Sequence, residues 1–455
     1  MHDIIASKAQ VSIPWEAAAP PFRHGADDDN LARSFEESLR ISKEIDEQLL
    51  ESKKAMEKKK KSVQILLLGQ SESGKSSVLR NFHLAFAPKH FESERLAWKI
   101  IIQLNLIGSI KLILDVLQHE WDTSGDAEPK SPLNRDLRRI RLGLSPLLFI
   151  EQTLAQLISP GTHNHRDVCV RPGSNWKAIF KARAEVNFED TSENGKRRRS
   201  QNHLGKDTDA TSVLAASKDD ILVLWNDPDV RAVLKRRGVR MEETPGFFLN
   251  DIDRIADPNY VPSDADIMRA RVRTLGVEEH YFVIEKGLDV GSEVYITDVG
   301  GSRSQRPRWI PYFEDVQTIV FLAPLTFNQA LEEDPDVNRL EDSLMLWREI
   351  CRNKLLAGAT LILFFNKKDV LASTLAAGVK VKKYVPSYGE LPNEVASVTK
   401  YFCDKFRTYH RKLSPLPRPF MFHETSAIDT NSMGALLLGI RETILRAYLQ
   451  QGEMI

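Results

Sequence analysis

The chain has 455 residues, a hydrophobic fraction of 42% and a formal net charge of zero at pH 7. This length exceeds one average domain, and the balanced charge argues against nucleic acid as a partner. Three widely spaced cysteines fit a reducing, cytosolic setting, and the chain lacks both a secretion signal and about eighteen consecutive apolar residues, so we expect neither secretion nor a membrane span.

Residues 29–61 are strongly charged and contain neither Gly nor Pro. Their apolar residues recur near helical spacing: Leu39, Ile41, Ile45, Leu49 and Leu50. The pattern predicts an exposed amphipathic helix that follows a disordered start, together residues 1–61. A partner-binding role is favoured over a helix that contacts nothing. His2 stands where N-myristoylation requires Gly, so we expect no N-myristoyl anchor.

A phosphate-binding loop, GQSESGKSS, occupies residues 69–77 and directly follows the apolar run 63–68. Backbone N–H groups of a Gly-rich turn and a helix N-terminus surround phosphate oxygens without steric clash. Its position between a strand and a helix disfavours a chance Gly/Ser turn. The segment therefore predicts a nucleoside triphosphate site.

Individual residues of this loop have predicted roles. Gly69 and Gly74 permit the turn, and Lys75 reaches the β- and γ-phosphates as a point charge. The Ser76 hydroxyl is a predicted ligand of Mg²⁺, and Ser77 supports the α-phosphate. The predicted cofactors are thus a nucleotide and Mg²⁺.

Residues 82–264 are dominated by helical stretches, the clearest at 92–121, where apolar residues occupy most faces. Charged residues within that stretch favour domain core over a membrane span. Residues 190–220 are rich in Ser, Asn, Asp, Thr and Lys, which predicts a disordered surface insertion. Its basic run at 196–199 leaves a nuclear-localisation role open. We expect an all-α domain that carries this insertion.

After Arg273, short β-like segments alternate with helical sequence, at 279–284, 293–298, 318–323 and 360–365. Buried strands separated by helices indicate a doubly wound, mostly parallel sheet. The phosphate loop then lies at the carboxyl end of the first strand, where such folds bind ligands. We assign residues 62–81 and 265–455 to this α/β domain.

Three further motifs follow predicted strands: DVGG at 298–301, NKKD at 366–369 and TSAI at 425–428. Asp298 can hold a water of the Mg²⁺ shell, and Gly300 with Gly301 lets a backbone N–H meet the γ-phosphate. Each motif alone could be a strand-loop junction, but their order disfavours chance.

The last two motifs predict the base-binding loops. Asp369 can accept from N1–H and the exocyclic amine of guanine, a pair that adenine does not present. Asn366 braces the loops, the Lys367 stem covers the ring face, and the Ala427 N–H is expected to donate to the guanine oxygen. Guanine selectivity follows, and an adenine-nucleotide enzyme is disfavoured.

With these motifs in place, the chain resembles the α subunit of a heterotrimeric G protein, of a divergent kind, from about Ser42 onward. The resemblance extends to SKEIDEQL at 42–49, the stretch DIDRIADPNYVPSDADIMRARVRTLGV at 251–277, and NRLEDS at 338–343. It implies a Ras-like GTPase domain with an inserted helical domain and an N-terminal helix. It also implies a signalling switch that is active with GTP, inactive with GDP, and hydrolyses GTP with Mg²⁺.

The resemblance carries further roles onto this sequence. Arg271 matches the built-in catalytic arginine, Thr274 the switch threonine that completes the Mg²⁺ shell, and Glu72 the loop glutamate that pairs with the arginine. Thr274 joins Ser76 and Asp298 in the predicted metal site, Asp298 acting through water. The remaining predicted nucleotide contacts are Ser73, Met268 and Arg269.

The main departure from the family is Ser302, which stands where a Gln orients the attacking water. Serine is shorter and has one hydroxyl, so it cannot both donate to phosphate and accept from water in the same geometry. We expect slow GTP hydrolysis, with the alternative of a largely GTP-bound scaffold that seldom cycles.

Partners are also implied by the resemblance. The C-terminal amphipathic helix at 433–449 matches the receptor-binding end, so we expect a seven-helix membrane receptor, a βγ dimer and an unknown effector. Pro307 precedes Arg308 and Trp309, which resemble the βγ-contacting face, and is expected to shorten or tilt that helix. Arg306 and Glu341 match a pair that locks the GTP-bound switch. The expected location is cytoplasmic, at the inner face of the plasma membrane through partners.

Overall fold

The computed structural model describes residues 26–60, 62–123, 139–158, 168–170, 176–177, 210–243, 245–286, 290–314 and 316–452. The chain separates into two compact units, Met1–Lys61 and Ser62–Ile455. The first unit contains one long helix, Ala26–Lys60, whose described side chains are nearly all exposed. This agrees with the amphipathic helix expected from the sequence, whereas the predicted disordered start before Ala26 lies outside the described residues.

The second unit contains a six-stranded sheet in the order β4-β5-β1-β6-β7-β8. Its strands are β1 (Val63–Leu68), β4 (Val277–Val283), β5 (Glu293–Val299), β6 (Thr318–Pro324), β7 (Thr360–Asn366) and β8 (Phe420–Glu424). All neighbours are parallel except β4 and β5. A separate parallel pair joins β2 (Cys169–Val170) to β3 (Arg273–Thr274). The predicted mostly parallel α/β sheet is confirmed.

Side chains of β1 alternate between two cores because successive strand residues point to opposite faces. Leu66 and Leu68 pack in the cluster that contains Trp347. Ile65 and Leu67 pack in the cluster that contains Leu437. Helices cover both faces, so every strand of the sheet interior can be apolar on both sides. The helices outside the helical region are Lys75–Phe86, Arg339–Arg352, Lys368–Ala376, Val381–Tyr384, Val395–Leu413 and Thr430–Gly452.

A third core belongs to a helical region between the phosphate-loop helix (Lys75–Phe86) and β3. Its described helices are Pro88–Ser93, Arg95–Thr123, Ser145–Ile158, Ala210–Asn226, Pro228–Arg236, Ile252–Ile255 and Asp264–Arg269. The long helix (Arg95–Thr123) is apolar on most faces because it lies at the centre: Ile101, Ile107 and Ile110 are fully buried. Its stretch Arg95–Glu120 is long and apolar enough to cross a membrane, and 56% of its most apolar part is buried inside the protein.

The prediction of a disordered insertion at 190–220 is wrong for residues 210–220. A helix begins at Ala210, where Leu214 is fully buried and Gln103 Nε2 donates to Thr211 Oγ1 at 2.9 Å. Polar composition was outweighed here by a few apolar positions that reach the helical core. Residues 190–209 lie outside the described part of the chain, and the predicted domain boundaries near residues 82 and 264 stay predictions.

Two elements near the sheet differ from expectation in extent or type. The segment after β5 is a 3₁₀ helix, Arg303–Tyr312, that contains Pro307 and Pro311. Proline lacks an N–H and clashes with the preceding turn of an α-helix, which accounts for the 3₁₀ form. The C-terminal helix spans Thr430–Gly452 and buries Met433 and Leu437 against the sheet. Shorter 3₁₀ turns are Met241–Glu243, Leu249–Asp251, Lys354–Leu356 and Pro386–Tyr388.

Candidate functional site

The phosphate loop connects β1 to the helix Lys75–Phe86, as the spacing of its glycines predicts. Gly74 has φ +100° at the N-terminus of that helix, and a Cβ there would clash with Asn366 Nδ2. Glu72 and Lys367 are the non-glycine residues with positive φ in the described chain, 59° and 62°. Such conformations cost free energy and persist where surrounding contacts impose them. Both residues lie in the predicted nucleotide site.

Lys75 is buried at the mouth of this loop. Its Nζ donates to the carbonyls of Gly69 and Gln70, at 2.9 and 2.8 Å. Burial lowers the pKa of Lys75 to about 8, although Asp298 opposes the shift. The ammonium group is therefore held at the point where the loop turns around an anion.

Three side chains with metal-binding oxygen atoms meet beside Lys75. Ser76 Oγ donates to Asp298 Oδ2 at 2.8 Å, Thr274 Oγ1 donates to the same atom at 3.3 Å, and the two hydroxyls are 3.4 Å apart. The other carboxylate atom, Asp298 Oδ1, is buried with no hydrogen-bond partner in the described part of the chain. Hydroxyl and carboxylate oxygens are the ligands that Mg²⁺ prefers, so this donor set fits the predicted ion.

Arg271 reaches the loop from the helical region. Its guanidinium forms an ion pair with Glu72, whose second oxygen accepts from Arg339 Nη2 at 3.1 Å. Burial alone would raise the pKa of Glu72, but Arg271 and Arg339 hold it at about 2. Glu72 is therefore a carboxylate shared by two arginines.

The backbone of Arg271 is held by Asn105, which lies on the long helix. Asn105 Oδ1 accepts from the Arg271 N–H at 2.7 Å, and Asn105 Nδ2 donates to the Arg271 carbonyl at 2.9 Å. On the other side Gly246 lies so close that a Cβ would be 2.8 Å from Arg271 Cβ. The helical region thus fixes where the arginine leaves the backbone.

The segment after β5, which carries Ser302, forms another side of the cavity. Ser302 is nearly buried, and its hydroxyl lies 3.4 Å from Ser304 Oγ. A Cβ on Gly301 would clash with the backbone of Gln70, so the two loops are in close contact. Gln305 lines the same cavity, with its side-chain oxygen against Gly300.

The predicted base-binding loops are joined by Asn366. Its Nδ2 donates to the Ser73 carbonyl at 2.8 Å, and its Oδ1 accepts from the Ala427 N–H at 2.9 Å. Asp369 Oδ1 accepts from Ser426 Oγ at 2.9 Å. Burial lowers the pKa of Lys367 to about 8, and Arg339 adds to the shift. Asn366 therefore braces the phosphate loop against both base loops.

The Ala427 N–H also has a protein partner. It donates to Asn366 Oδ1 in the structure, and its predicted bond to the guanine oxygen stays a prediction. The Ala427 carbonyl also accepts from Asn81 Nδ2 at 2.8 Å. The side-chain amide of Asn366 uses both its nitrogen and its oxygen, and the donor to its oxygen is the Ala427 N–H. A motif alone does not assign this bond.

The remaining predicted contacts surround the loop. Ser77 Oγ donates to the Met268 carbonyl at 3.2 Å. Arg269 pairs with Asp251 at 2.7 Å and with Asp266 at 3.3 Å. The Ser77–Met268 bond ties the end of helix Asp264–Arg269 to the start of the phosphate-loop helix, whereas the Arg269 pairs stay within the helical region.

All predicted site residues except Gly69 and Asp298 line one cavity of about 620 Å³. Those that line it are Glu72, Ser73, Gly74, Lys75, Ser76, Ser77, Met268, Arg269, Arg271, Thr274, Gly301, Ser302, Asn366, Lys367, Asp369 and Ala427. The structure thus brings together residues from the phosphate loop, the helical region and three strand ends.

The predicted pair of Arg306 and Glu341 is wrong. Arg306 donates to both oxygens of Asp342, at 3.0 and 2.6 Å, whereas Glu341 is exposed. Successive helix residues point about 100° apart, so a shift of one position moves a side chain to another face. Asp342, 2% exposed, is the residue that faces the switch segment.

Sequence reasoning missed three residues that shape this cavity. Asn105 and Arg339 act on residues far along the chain. Arg339 lies within NRLEDS at 338–343, a match that carries no predicted role for this residue, and Asn105 lies in no motif. Arg80 is buried and donates to the carbonyls of Ile267 and Ala270, at 2.5 and 2.8 Å. The available signal is the position of Arg80 in the helix after the loop, next to the buried apolar residue Leu79.

The fold and cavity define a phosphate-loop nucleotide-binding protein, with Asp369 of the predicted base loops lining the same cavity. The family model of the G-protein alpha subunit matches residues 39–444, and the chain belongs to that family. It is a divergent member, a guanine-nucleotide-binding signal transducer from a family of GTPases.

Curated relatives are similar along most of their length. The guanine nucleotide-binding protein alpha-4 subunit of Mycosarcoma maydis is 30% identical, over 86% of this chain and 84% of that protein. The alpha-2 subunit of Neurospora crassa is 28% identical, over 90% and 95%. The subunit alpha-12 of Rattus norvegicus is 28% identical, over 99% of both chains.

Proposed function

We propose that this chain cycles between a GTP-bound active form and a GDP-bound inactive form, with slow, Mg²⁺-dependent hydrolysis of GTP. The observation that carries the proposal is the single cavity in which Arg271, the oxygens of Ser76 and Thr274, and the short side chain of Ser302 converge. The first three are groups that hydrolysis requires, and Ser302 is the group that limits its rate.

Ser76 and Thr274 would hold Mg²⁺ directly, with Asp298 acting through water. When bound, the ion supplies positive charge to the β- and γ-phosphate oxygens. Thr274 lies on β3, whose partner strand is Cys169–Val170 of the helical region. The position of Thr274 thus depends on this strand pair, which release of the γ-phosphate could free. This supports a switch at Thr274.

Once Arg271 has left its ion pair with Glu72, its guanidinium stabilises the charge that develops on the transferred phosphoryl group. Glu72 is also bound by Arg339, so its carboxylate keeps one charged partner after Arg271 leaves. This lowers the cost of breaking the Arg271–Glu72 pair, because an unpaired buried carboxylate would be expensive.

Ser302 has one hydroxyl and lies close to Ser304 Oγ. A glutamine amide can donate to a phosphate oxygen and accept from water at the same time, whereas one hydroxyl at this length cannot do so in the same geometry. We expect GTP to be bound with ordinary metal and base contacts and to persist unless a partner compensates.

The test is single-turnover hydrolysis of GTP by the purified protein with nucleotide binding verified. We expect Ser302→Gln to raise the rate at least about tenfold, and Arg271→Ala to lower it roughly 1000-fold. An unchanged rate in Ser302→Gln would contradict the role of Ser302. A loss of rate in Gln305→Ala as large as that in Arg271→Ala would assign water positioning to Gln305 instead.

The proposed partners are a βγ dimer, a seven-helix receptor that contacts the C-terminal helix, and an effector of unknown kind. Arg308 and Ile310 are exposed on the 3₁₀ helix Arg303–Tyr312, whereas Trp309 is buried and donates to the Gly300 carbonyl at 3.0 Å. The proposed location is cytoplasmic, at the inner face of the plasma membrane through these partners. Co-purification of βγ with the GDP form, lost in Arg308→Glu, is the expected result.

A second candidate is a GTP-bound scaffold that seldom cycles. Ser302 in the cavity and Pro307 in the 3₁₀ helix favour it, since the first slows hydrolysis and the second alters the βγ-contacting segment. Tight GTP binding with no turnover above background in the wild-type protein would select this candidate. Slow turnover that depends on Arg271 would exclude it.

A further inference from the structure

A second cluster of reactive side chains lies where the phosphate-loop helix ends beside β4. His83 stands near the end of helix Lys75–Phe86, and His90 and Glu94 belong to the next short helix and its C-cap. The ligand atoms of these three residues all lie within 4.8 Å of one another. The ring of His280, on β4, is 5.9 Å from that of His83. None of the four lines the nucleotide cavity.

Two imidazole nitrogens in this cluster are buried and unsatisfied. Nε2 of His83 and Nε2 of His280 have no hydrogen-bond partner within the described ranges, and His83 is only 3% exposed. Glu278 Oε2 lies 3.7 Å from His280 Nε2, beyond hydrogen-bond distance. A buried polar atom without a partner costs about 1–3 kcal/mol. These two nitrogens lie in one small region. Their unused lone pairs therefore point to a bound ligand that accepts electron pairs, such as a metal ion.

The geometry of the cluster suits metal binding. His90 Nε2 lies 3.3 Å from Glu94 Oε1, and the side chain of Glu94 is only 11% exposed. Imidazole nitrogens and a carboxylate oxygen that converge in this way are ligands that a divalent transition-metal ion takes.

We propose that His83, His90 and Glu94, with His280 as a fourth ligand, form a binding site for Zn²⁺ or a similar divalent transition-metal ion. Three imidazoles and one carboxylate are a donor set for Zn²⁺ rather than for Mg²⁺. Tetrahedral binding brings ligand atoms to roughly 3.3 Å of one another. His90, whose side chain is 44% exposed, can make that adjustment and provides the entry path.

Lys177 is the competitor of such an ion. Its Nζ lies 2.8 Å from each oxygen of Glu94, so it must turn away when the carboxylate binds a metal. The ion would then link the helix that begins at Lys75 to the strand that follows Thr274. Removal of the lysine charge should therefore strengthen metal binding.

The experiment titrates Co²⁺ and Zn²⁺ into the full chain with saturating GDP and Mg²⁺, so that the nucleotide-associated ion site is filled. Absorption of Co²⁺ reports tetrahedral coordination, and competition with a chromophoric chelator gives the Zn²⁺ affinity. We expect one ion per chain, an affinity at least about tenfold lower in His90→Ala and Glu94→Gln, and a higher affinity in Lys177→Gln.

His119→Ala is the matched control, because His119 is an exposed histidine elsewhere, on the long helix. Equal affinities in wild type and His90→Ala, an equal loss in His119→Ala, or the absence of a tetrahedral Co²⁺ spectrum would each overturn the proposal. Retention of GDP by every variant shows that it is folded, so a loss of metal affinity reports the site and not unfolding.

Discussion

The nucleotide cavity has two walls that are built in different ways. The sheet wall consists of loops at strand ends, at residues 69–77, 298–301, 366–369 and 425–428. The helical wall consists of Gly246 and residues 268–271, with Asn105 behind them bonded to the Arg271 backbone. The sheet wall carries its chemistry in short motifs, whereas the helical wall positions Arg271 through a residue 166 positions away.

This difference separates binding from hydrolysis. Loops of the sheet wall surround the phosphates and the base, so damage there should lower nucleotide affinity. The side-chain hydrogen bonds of Asn105 go to the backbone of Arg271, so damage to the helical wall should lower the rate of hydrolysis and leave affinity intact.

The largest effect is expected in the sheet wall, from Gly74→Ala. The added Cβ clashes with Asn366 Nδ2, and φ of +100° is strained for alanine. We expect GTP affinity to fall at least 100-fold, on the order of 3 kcal/mol. Gly378→Ala is the control, since φ is +78° there with nothing within 4 Å of the Cβ. Equal affinities in both variants, measured with a fluorescent GTP analogue, would remove the clash as the cause.

The next effect concerns the contact between the sheet wall and the helix Arg339–Arg352. Asp342→Asn removes the carboxylate charge that pairs with Nη1 and Nη2 of Arg306. We expect the unfolding free energy to fall by about 2 kcal/mol. Glu341→Gln changes an exposed neighbour and should stay within about 0.5 kcal/mol of wild type. Denaturant unfolding of the GTP-bound form measures both changes. A larger loss of unfolding free energy in Glu341→Gln would support the Arg306–Glu341 pair predicted from the sequence.

A smaller effect tests the helical wall directly. Asn105→Ala removes both hydrogen bonds to the Arg271 backbone, and we expect single-turnover hydrolysis to slow about tenfold at unchanged GTP affinity. Ser109→Ala is the control, because its hydroxyl bonds only the Asn105 carbonyl within the same helix. A fall in GTP affinity equal to the fall in rate would show that the two walls are not separable.

The smallest effect is the response to acid of helix Asp264–Arg269, whose last two residues belong to the helical wall. Burial would raise the pKa of Asp266, but hydrogen bonds from Arg254 and Ser263 hold it well below its usual range. Because the pKa is lower in the folded state, this stabilisation is present above the unfolded pKa near 4 and is lost as pH falls towards the folded value.

We therefore expect the stability difference between wild type and Asp266→Asn to shrink by about 1 kcal/mol between pH 5 and pH 3. Urea unfolding at both pH values measures it. Asp264→Asn, on the same helix and less buried, is the comparison variant. A difference that stays constant with pH would contradict the assigned role of Asp266.

The sheet wall could be predicted from the sequence because its function resides in consecutive residues. The turn at Gly74, the donors Lys75 and Ser76, and the acceptor Asp369 each follow from the chemistry of a short segment. Strand-like runs and their spacing likewise predicted the α/β sheet, since buried parallel strands are apolar on both faces.

The tertiary structure alone decided the rest. It assigned the Arg306 partner to Asp342, gave the Ala427 N–H to Asn366, and brought Asn105 to the Arg271 backbone. It also gathered His83, His90 and Glu94, which belong to no recognised motif. These contacts depend on which face of a helix points inward and on pairs far apart in sequence, and neither is encoded in any one segment.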